Sequence, residues 1–210
     1  MGSDPSGGVN LSKITLTKES PTVSLTKAGI STGELRINLN WTQDSGGKRR
    51  LFGGGSNAVD LDLGCLYELT NGDRGCVQAL GNAFGSLGSA PYIALDGDDR
   101  SGSSTEGENL RINLAHAAEI KRVLVYTYIY EGAPSWDKAQ AVVTLHPAKG
   151  PQVEIKVDEH AGGSRMVALA LFENQGSDLV MKREVKYIGG MHPELDKQYG
   201  WGMSWQAGRK

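Results

Sequence analysis

Cysteine is nearly absent: Cys65 and Cys76 are the only two in 210 residues, a number that suits a reducing compartment. If Asn71-Gly72-Asp73 is a hairpin turn, the two thiols stand out of register by about three residues, or ~10 Å along the strand, beyond disulfide reach. Free thiols are therefore expected. No second Cys or His lies at ligand spacing from either, so Cys65 reads as a small core residue. Long apolar runs are missing too. None approaches the ~18 residues of a membrane span, and the opening MGSDPSGG has no signal-peptide core. The chain reads as cytoplasmic, with no membrane span, although peripheral membrane association stays open. A basic stripe interleaved with aromatics is also lacking, and the formal charge is -2. Nucleic acid is excluded as a partner on that basis.

Glycine and acidic loops are what the chain has in quantity. Its 29 glycines are roughly twice the usual share of about 7%, with no collagen period. They cluster with Ser and Asn between short alternating runs, the pattern of an all-β chain. In ELRINLNW, Leu35, Ile37, Leu39 and Trp41 share one face while Arg36, Asn38 and Asn40 share the other. LSKITLTKES, PTVSLTKAG, AQAVVTL, QVEIKVD, RMVALALFE and DLVMKREVKYI alternate similarly, whereas VLVYTYIYEG is apolar on both faces and reads as a central strand. These features predict an all-β, two-sheet β-sandwich, to which the acidic stretches described next add the expectation of long calcium-binding loops. One short helix is expected, at LAHAAEIK. Residues 1–8 read as a flexible leader and 9–210 as the sandwich domain.

The organising stretch is LDGDDRSGSSTEGENLRINL, which crowds Asp96, Asp98, Asp99, Glu106 and Glu108 into a Gly- and Ser-rich loop. Five carboxylates so close repel by several kcal/mol in aggregate, so the loop is disordered, protonated or neutralised by a cation. A solvated acidic turn is the alternative. Oxygen donors favour a hard ion, calcium before magnesium. An EF-hand counted from Asp96 fails, because Arg100, Ser101 and Gly107 occupy its fifth, sixth and twelfth positions. In NAVDLDLGCLYEL, strand alternation places Asp60 and Asp62 together on one face and Leu61, Leu63, Cys65 and Tyr67 on the other. Two aspartates on an otherwise apolar strand are costly unless paired or bound to metal. Seven carboxylates, even less Arg100 and Arg111, exceed what one divalent ion balances, which implies two neighbouring calcium ions. Glu131, at the end of the central strand, could reach the same place.

Other features carry less chemistry. Lys48, Arg49 and Arg50, followed by Leu51 and Phe52, form the only basic cluster, and read as solvated more than as a grip on an anionic partner. His116 stands without an Asp or Ser around it and reads as a surface or capping residue. The Trp201 and Trp205 tail is expected to fold back over a sheet edge.

At DLDLG, GDDRSG and EGENLRINL the chain resembles the TerD-type tellurium-resistance and stress-response family. The opening GVNLSK is similar to that family, and HPELDKQYGWGMSWQAGRK resembles its TerA-like branch. The resemblance implies a cytoplasmic calcium-binding β-sandwich from a bacterial resistance or stress system, without catalytic activity. It places the family's strand aspartates at Asp60 and Asp62 and its Gly-Asp-Asn loop at Gly97, Asp98 and Asp99, the last a carboxylate in place of the usual amide. Glu106 and Glu108 stand loosely for the acidic run that follows. The leading expectation is a non-enzymatic calcium-dependent module presenting a surface to other proteins of the stress or tellurium-resistance system. The alternative is a calcium-dependent lectin-like or small-anion ligand-binding domain, with Trp41, Trp136, Trp201 and Trp205 as stacking rings. A hydrolase is disfavoured because the carboxylates crowd together instead of flanking a gap.

Overall fold

Alternation of apolar and polar side chains sets the strands, and a computed structural model describes them over residues 13–41, 60–97, 107–131, 136–157, 163–176 and 178–206. The expected leader, the basic cluster at Lys48 to Arg50, and Asp98, Asp99 and Glu106 lie outside the described residues. One sheet has seven strands in the order β1 (Lys13–Thr15), β11 (Gln152–Val157), β10 (Ala141–Pro147), β3 (Glu34–Asn40), β8 (Glu108–Asn113), β7 (Ile93–Leu95) and β6 (Gly85–Ser86). The other has six: β2 (Thr22–Ser24), β13 (Leu179–Ile188), β12 (Met166–Asn174), β9 (Ile120–Glu131), β4 (Asp60–Leu69) and β5 (Arg74–Val77). Every pairing is antiparallel except β1 with β11. The two-sheet sandwich read from the sequence is the fold. Leu35, Ile37 and Leu39 of β3 face Leu61, Leu63 and Val125 of the second sheet across one core.

Sheet position explains why β9 is apolar on both faces. Val123, Val125 and Ile129 join the core between the sheets, while Leu124, Tyr126 and Tyr128 enter a second core with Leu66, Met166, Leu195 and Trp201. A four-residue helix, α1 (Trp136–Ala139), precedes β10, and the second core lies under α2 (His192–Tyr199) and the chain that follows it. The C-terminal aromatics therefore cover the face of a sheet, not the edge expected from the sequence. Trp201 donates its indole N–H to the Tyr67 carbonyl (3.0 Å), and the Arg122 guanidinium lies 3.8 Å over its ring.

Two local expectations are corrected. Leu114–Glu119 is a 3-10 turn in which His116 leaves helical angles (φ -108, ψ 18), because β9 pairing claims the chain from Ile120 onward. Among the described residues the longest helix is instead α2. Pro193 sits in its first turn, the Glu194 carboxylate accepts the Met191 N–H (3.1 Å), and Gly200 at φ 64 ends it. Those are ordinary start and stop signals. The cysteines are free, as expected, but for a different reason. Cys76 pairs with Leu66 and Cys65 with Val77, an offset of one residue instead of three, so the thiols point to opposite faces of the hairpin.

Gly64 of the DLDLG stretch is required by packing. It pairs with Tyr126, and a Cβ there would meet the phenol ring at 2.8–2.9 Å. The ring cannot simply swing away, because its hydroxyl donates to Gln78 Oε1 (2.8 Å) in the buried layer. We expect Gly64→Ala to cost about 1–3 kcal/mol. A urea melt with an unchanged midpoint would contradict this packing.

Candidate metal centre

Register brings the two acidic stretches to one end of the sandwich. Asp60 and Asp62 open β4, opposite Glu131 and Tyr128 near the end of β9, and Glu108 opens β8 beside Leu39 at the end of β3. β5 pairs with β4 only from Cys65 to Glu68, so among the described residues no strand lies beside the earlier part of β4 on that side. Glu108 reaches across from the other sheet into that position. The Leu63 N–H donates to its Oε2 at 2.6 Å, a buried link between the sheets. Charge on the acceptor makes such a bond short and strong.

Gly107 fixes the approach of Glu108. It holds φ 66, and a Cβ there would lie 2.0 Å from the Leu39 carbonyl oxygen, so glycine alone fits between β3 and the start of β8. Asp62 and Glu108 are only 1% and 3% exposed. Oδ1 of Asp60, Oδ2 of Asp62 and Oε1 of Glu108 are sealed from solvent and accept no hydrogen bond, while each of the three residues makes other interactions. Buried carboxylate oxygens with capacity left over suit a hard cation.

Asp96 is held elsewhere. Its Oδ2 accepts from Arg111 Nε (2.8 Å) and Nη2 (2.6 Å), and Arg111 also donates to Glu34 Oε1 (2.7 Å), so one guanidinium is shared between two carboxylates. Glu131 is exposed at the partner position of Asp60. Among the described residues, no three His, Cys, Asp or Glu groups stand close enough to hold a metal ion.

Several buried polar groups were not singled out from the sequence. Glu68, 1% exposed, continues the face of Asp60 and Asp62, and takes Lys121 (2.8 Å), Arg122 (2.6 Å) and Arg74 (3.1 Å). Burial raises its pKa, but the hydrogen bonds from Lys121 and Arg122 and the charges of Arg122 and Arg74 outweigh that and hold it at about 2. Carrying the β4 alternation four residues past Gly64 would have found it. Asp196 gathers the tail: its Oδ1 accepts the Gly202 N–H (2.7 Å), and its Oδ2 accepts the Met203 N–H (2.9 Å) and the Trp205 indole N–H (3.0 Å). Only the tail's return path, invisible in the sequence, explains that residue.

His116 is not isolated. Its Nδ1 lies 2.6 Å from Glu119 Oε1, and its ring stacks on Tyr92 at 3.9 Å. Trp41, Trp136 and Trp201 are core residues, and Trp205 is half-buried against Asp196. Among the described residues, no helix is long and apolar enough to cross a membrane.

No family model matches the chain. Over 204 residues it is 45% identical to the tellurium resistance protein TerA of Alcaligenes sp., a match covering 96% of this chain and 60% of that protein. The chain thus spans about 60% of that relative's length. Among solved structures it is similar to a homologue of telluride resistance protein TerD from Streptomyces coelicolor A3(2). The TM-score is 0.54 at 17% identity, covering 79% of this chain and 95% of that one. At such identity the likeness is one of fold.

Proposed function

We propose that this chain, 45% identical over 204 residues to a tellurium resistance protein TerA, belongs with the TerD-type tellurium-resistance proteins and is a calcium-binding module without enzymatic activity. Two ions held among Asp60, Asp62, Asp98, Asp99, Glu106 and Glu108 would join the acidic loop to the start of β4. The joined loops would then present a surface to other proteins of the same resistance system, in the cytoplasm. Calcium supplies charge neutralisation and a set of oxygen-directed bonds, and no bond is made or broken in substrate.

The supporting observation is the Leu63 N–H to Glu108 Oε2 bond. It ties the strand that ends the acidic loop to the strand that carries the aspartate pair, at the end where the carboxylates accumulate. Asp96, the seventh expected ligand, shares the Arg111 guanidinium with Glu34.

A thermal melt tests the proposal. An ion bound only by the folded chain adds about 2.7 kcal/mol at a hundredfold excess over its dissociation constant. For a chain of this length that raises the midpoint by about 5–10 °C over a chelator-treated sample. Identical midpoints in calcium and in chelator would count against it.

A further inference from the structure

At the end of the sandwich away from Asp60 and Glu108, where β8 finishes and β9 begins, a cleft of about 150 Å³ opens between the turn after β2, the 3-10 turn Leu114–Glu119 and the turn that joins β12 to β13. Its depth is apolar. Ile30, Leu114 and Leu179 are buried members of the core between the sheets, and Ala117 and Ala118 extend the lining.

The polar groups of the β12–β13 turn that line this cleft are acceptors. Asn174 commits its amide hydrogens elsewhere: Nδ2 donates to the Ala117 and Ile120 carbonyls (3.1 Å each), so Oδ1 is what remains for the cleft. Asp178 is an ionised carboxylate. A hydrogen bond from the Ser24 side chain holds its pKa down against burial, and the Thr26 hydroxyl, the Thr26 N–H (3.2 Å) and, last, the charge of Lys27 add to that effect. Among the described residues Asp178 forms no ion pair.

We propose that this cleft binds a primary ammonium group on a short apolar stem, the ammonium donating to the Asp178 carboxylate and Asn174 Oδ1 and the stem lying against Ile30, Leu114 and Leu179. Its volume is well below the roughly 300–1,000 Å³ that holds a drug-sized ligand, so only a group of a few non-hydrogen atoms fits. An ammonium is a compact cation with N–H donors and no acceptor, which matches acceptors gathered on one turn. A neutral hydroxyl forfeits the gain from charge on the donor, and an anion meets Asp178. The site stands apart from the acidic end and needs no calcium.

Titration of the isotope-labelled full chain with n-butylammonium chloride, followed by amide chemical shifts, tests this. Saturable shifts centred on the Thr26, Ala118 and Gly176 amides are expected, with a dissociation constant in the millimolar range. The same concentration of n-butanol should leave those amides in place. Asp178→Asn should weaken binding about tenfold. Ala118→Leu narrows the cleft from an exposed position and leaves Asp178 untouched, so it should abolish binding even if loss of the carboxylate unsettles the Thr26 turn. Shifts that never saturate, an equal response to n-butanol, or undiminished binding by folded Asp178→Asn or Ala118→Leu would each overturn the site. Nα-acetyl-lysine methylamide carries the same ammonium on a peptide and separates the sources. Binding at least as tight as that of n-butylammonium assigns the group to a lysine of a partner protein, and weaker binding assigns it to a free amine.

Discussion

In saturating calcium, Asp62→Asn should melt about 5–10 °C below the unaltered chain, and in chelator it should melt no lower. The first effect is the loss of a ligand and with it most of the stabilisation from an ion bound only by the folded state. The second follows because the substitution removes a carboxylate that is 1% exposed, on the strand that also carries Asp60. Metal binding and apo stability then move in opposite directions. An Asp62 with a purely structural role would behave otherwise, since Asn would cost the same in both conditions. Melting both proteins in both conditions separates the cases. Equal losses in calcium and chelator would refute a site shared by β4 and the acidic loop.

Acid should loosen the molecule well above the range in which carboxylates protonate. Burial among Tyr126, Tyr128 and Trp205 pushes the His192 pKa down to about 4, from an ordinary value near 6.5. The unfolded chain therefore takes up a proton below pH 6.5 that the folded chain refuses. Stability from this group is complete above pH 6.5 and falls as pH drops toward 4, by about 3 kcal/mol in all. Glu68 acts in a lower window. Its depressed pKa contributes stability that is present above about 4.5 and is lost as pH falls toward 2. His146 is also shifted down, by burial and then by Arg36, so it slopes in the same direction as His192. Comparison with His192→Phe isolates the α2 histidine, because His146 is unchanged in that variant. Denaturant midpoints between pH 6.5 and 4.5 should fall distinctly less in His192→Phe. Parallel pH profiles for the two proteins would contradict the assignment.

Much of this architecture was legible because strands carry their own period. The alternation in ELRINLNW and the two-sided apolar run of VLVYTYIYEG give β3 and β9 their faces directly. What alternation cannot reveal is which element covers a face. Asp62, in register with Tyr128, shares the face of Leu66 and Tyr126, and only the return of α2 across the sheet makes it a second core. The helix was misplaced for a related reason. LAHAAEIK has helical composition, but pairing of Ile120 with Leu69 draws it into β9, whereas HPELDKQYG carries a proline start and a glycine stop amid aromatics that read as a tail. The three-residue cysteine offset failed on turn geometry: Leu69 N–H donates to Asp73 O, closing the loop tightly enough to set Cys76 opposite Leu66.

Of the expected ligands, Glu108 reaches β4, while Asp96 does not show the same placement. Alternation puts Glu108 on the core side of β8 with Leu110 and Ile112, and a carboxylate there must find a donor, which it does at Leu63. Asp96 was counted with the loop because it is adjacent in sequence. Pairing of Ala94 with Arg111 across β7 and β8 brings an arginine within reach of it instead.

The most direct test of the central claim is a calorimetric titration of the metal-free full chain with calcium. A saturable uptake approaching two ions per chain, abolished or strongly weakened by Asp62→Asn, is the predicted result. No uptake at millimolar calcium, by a chain whose melting curve confirms that it is folded, would contradict it.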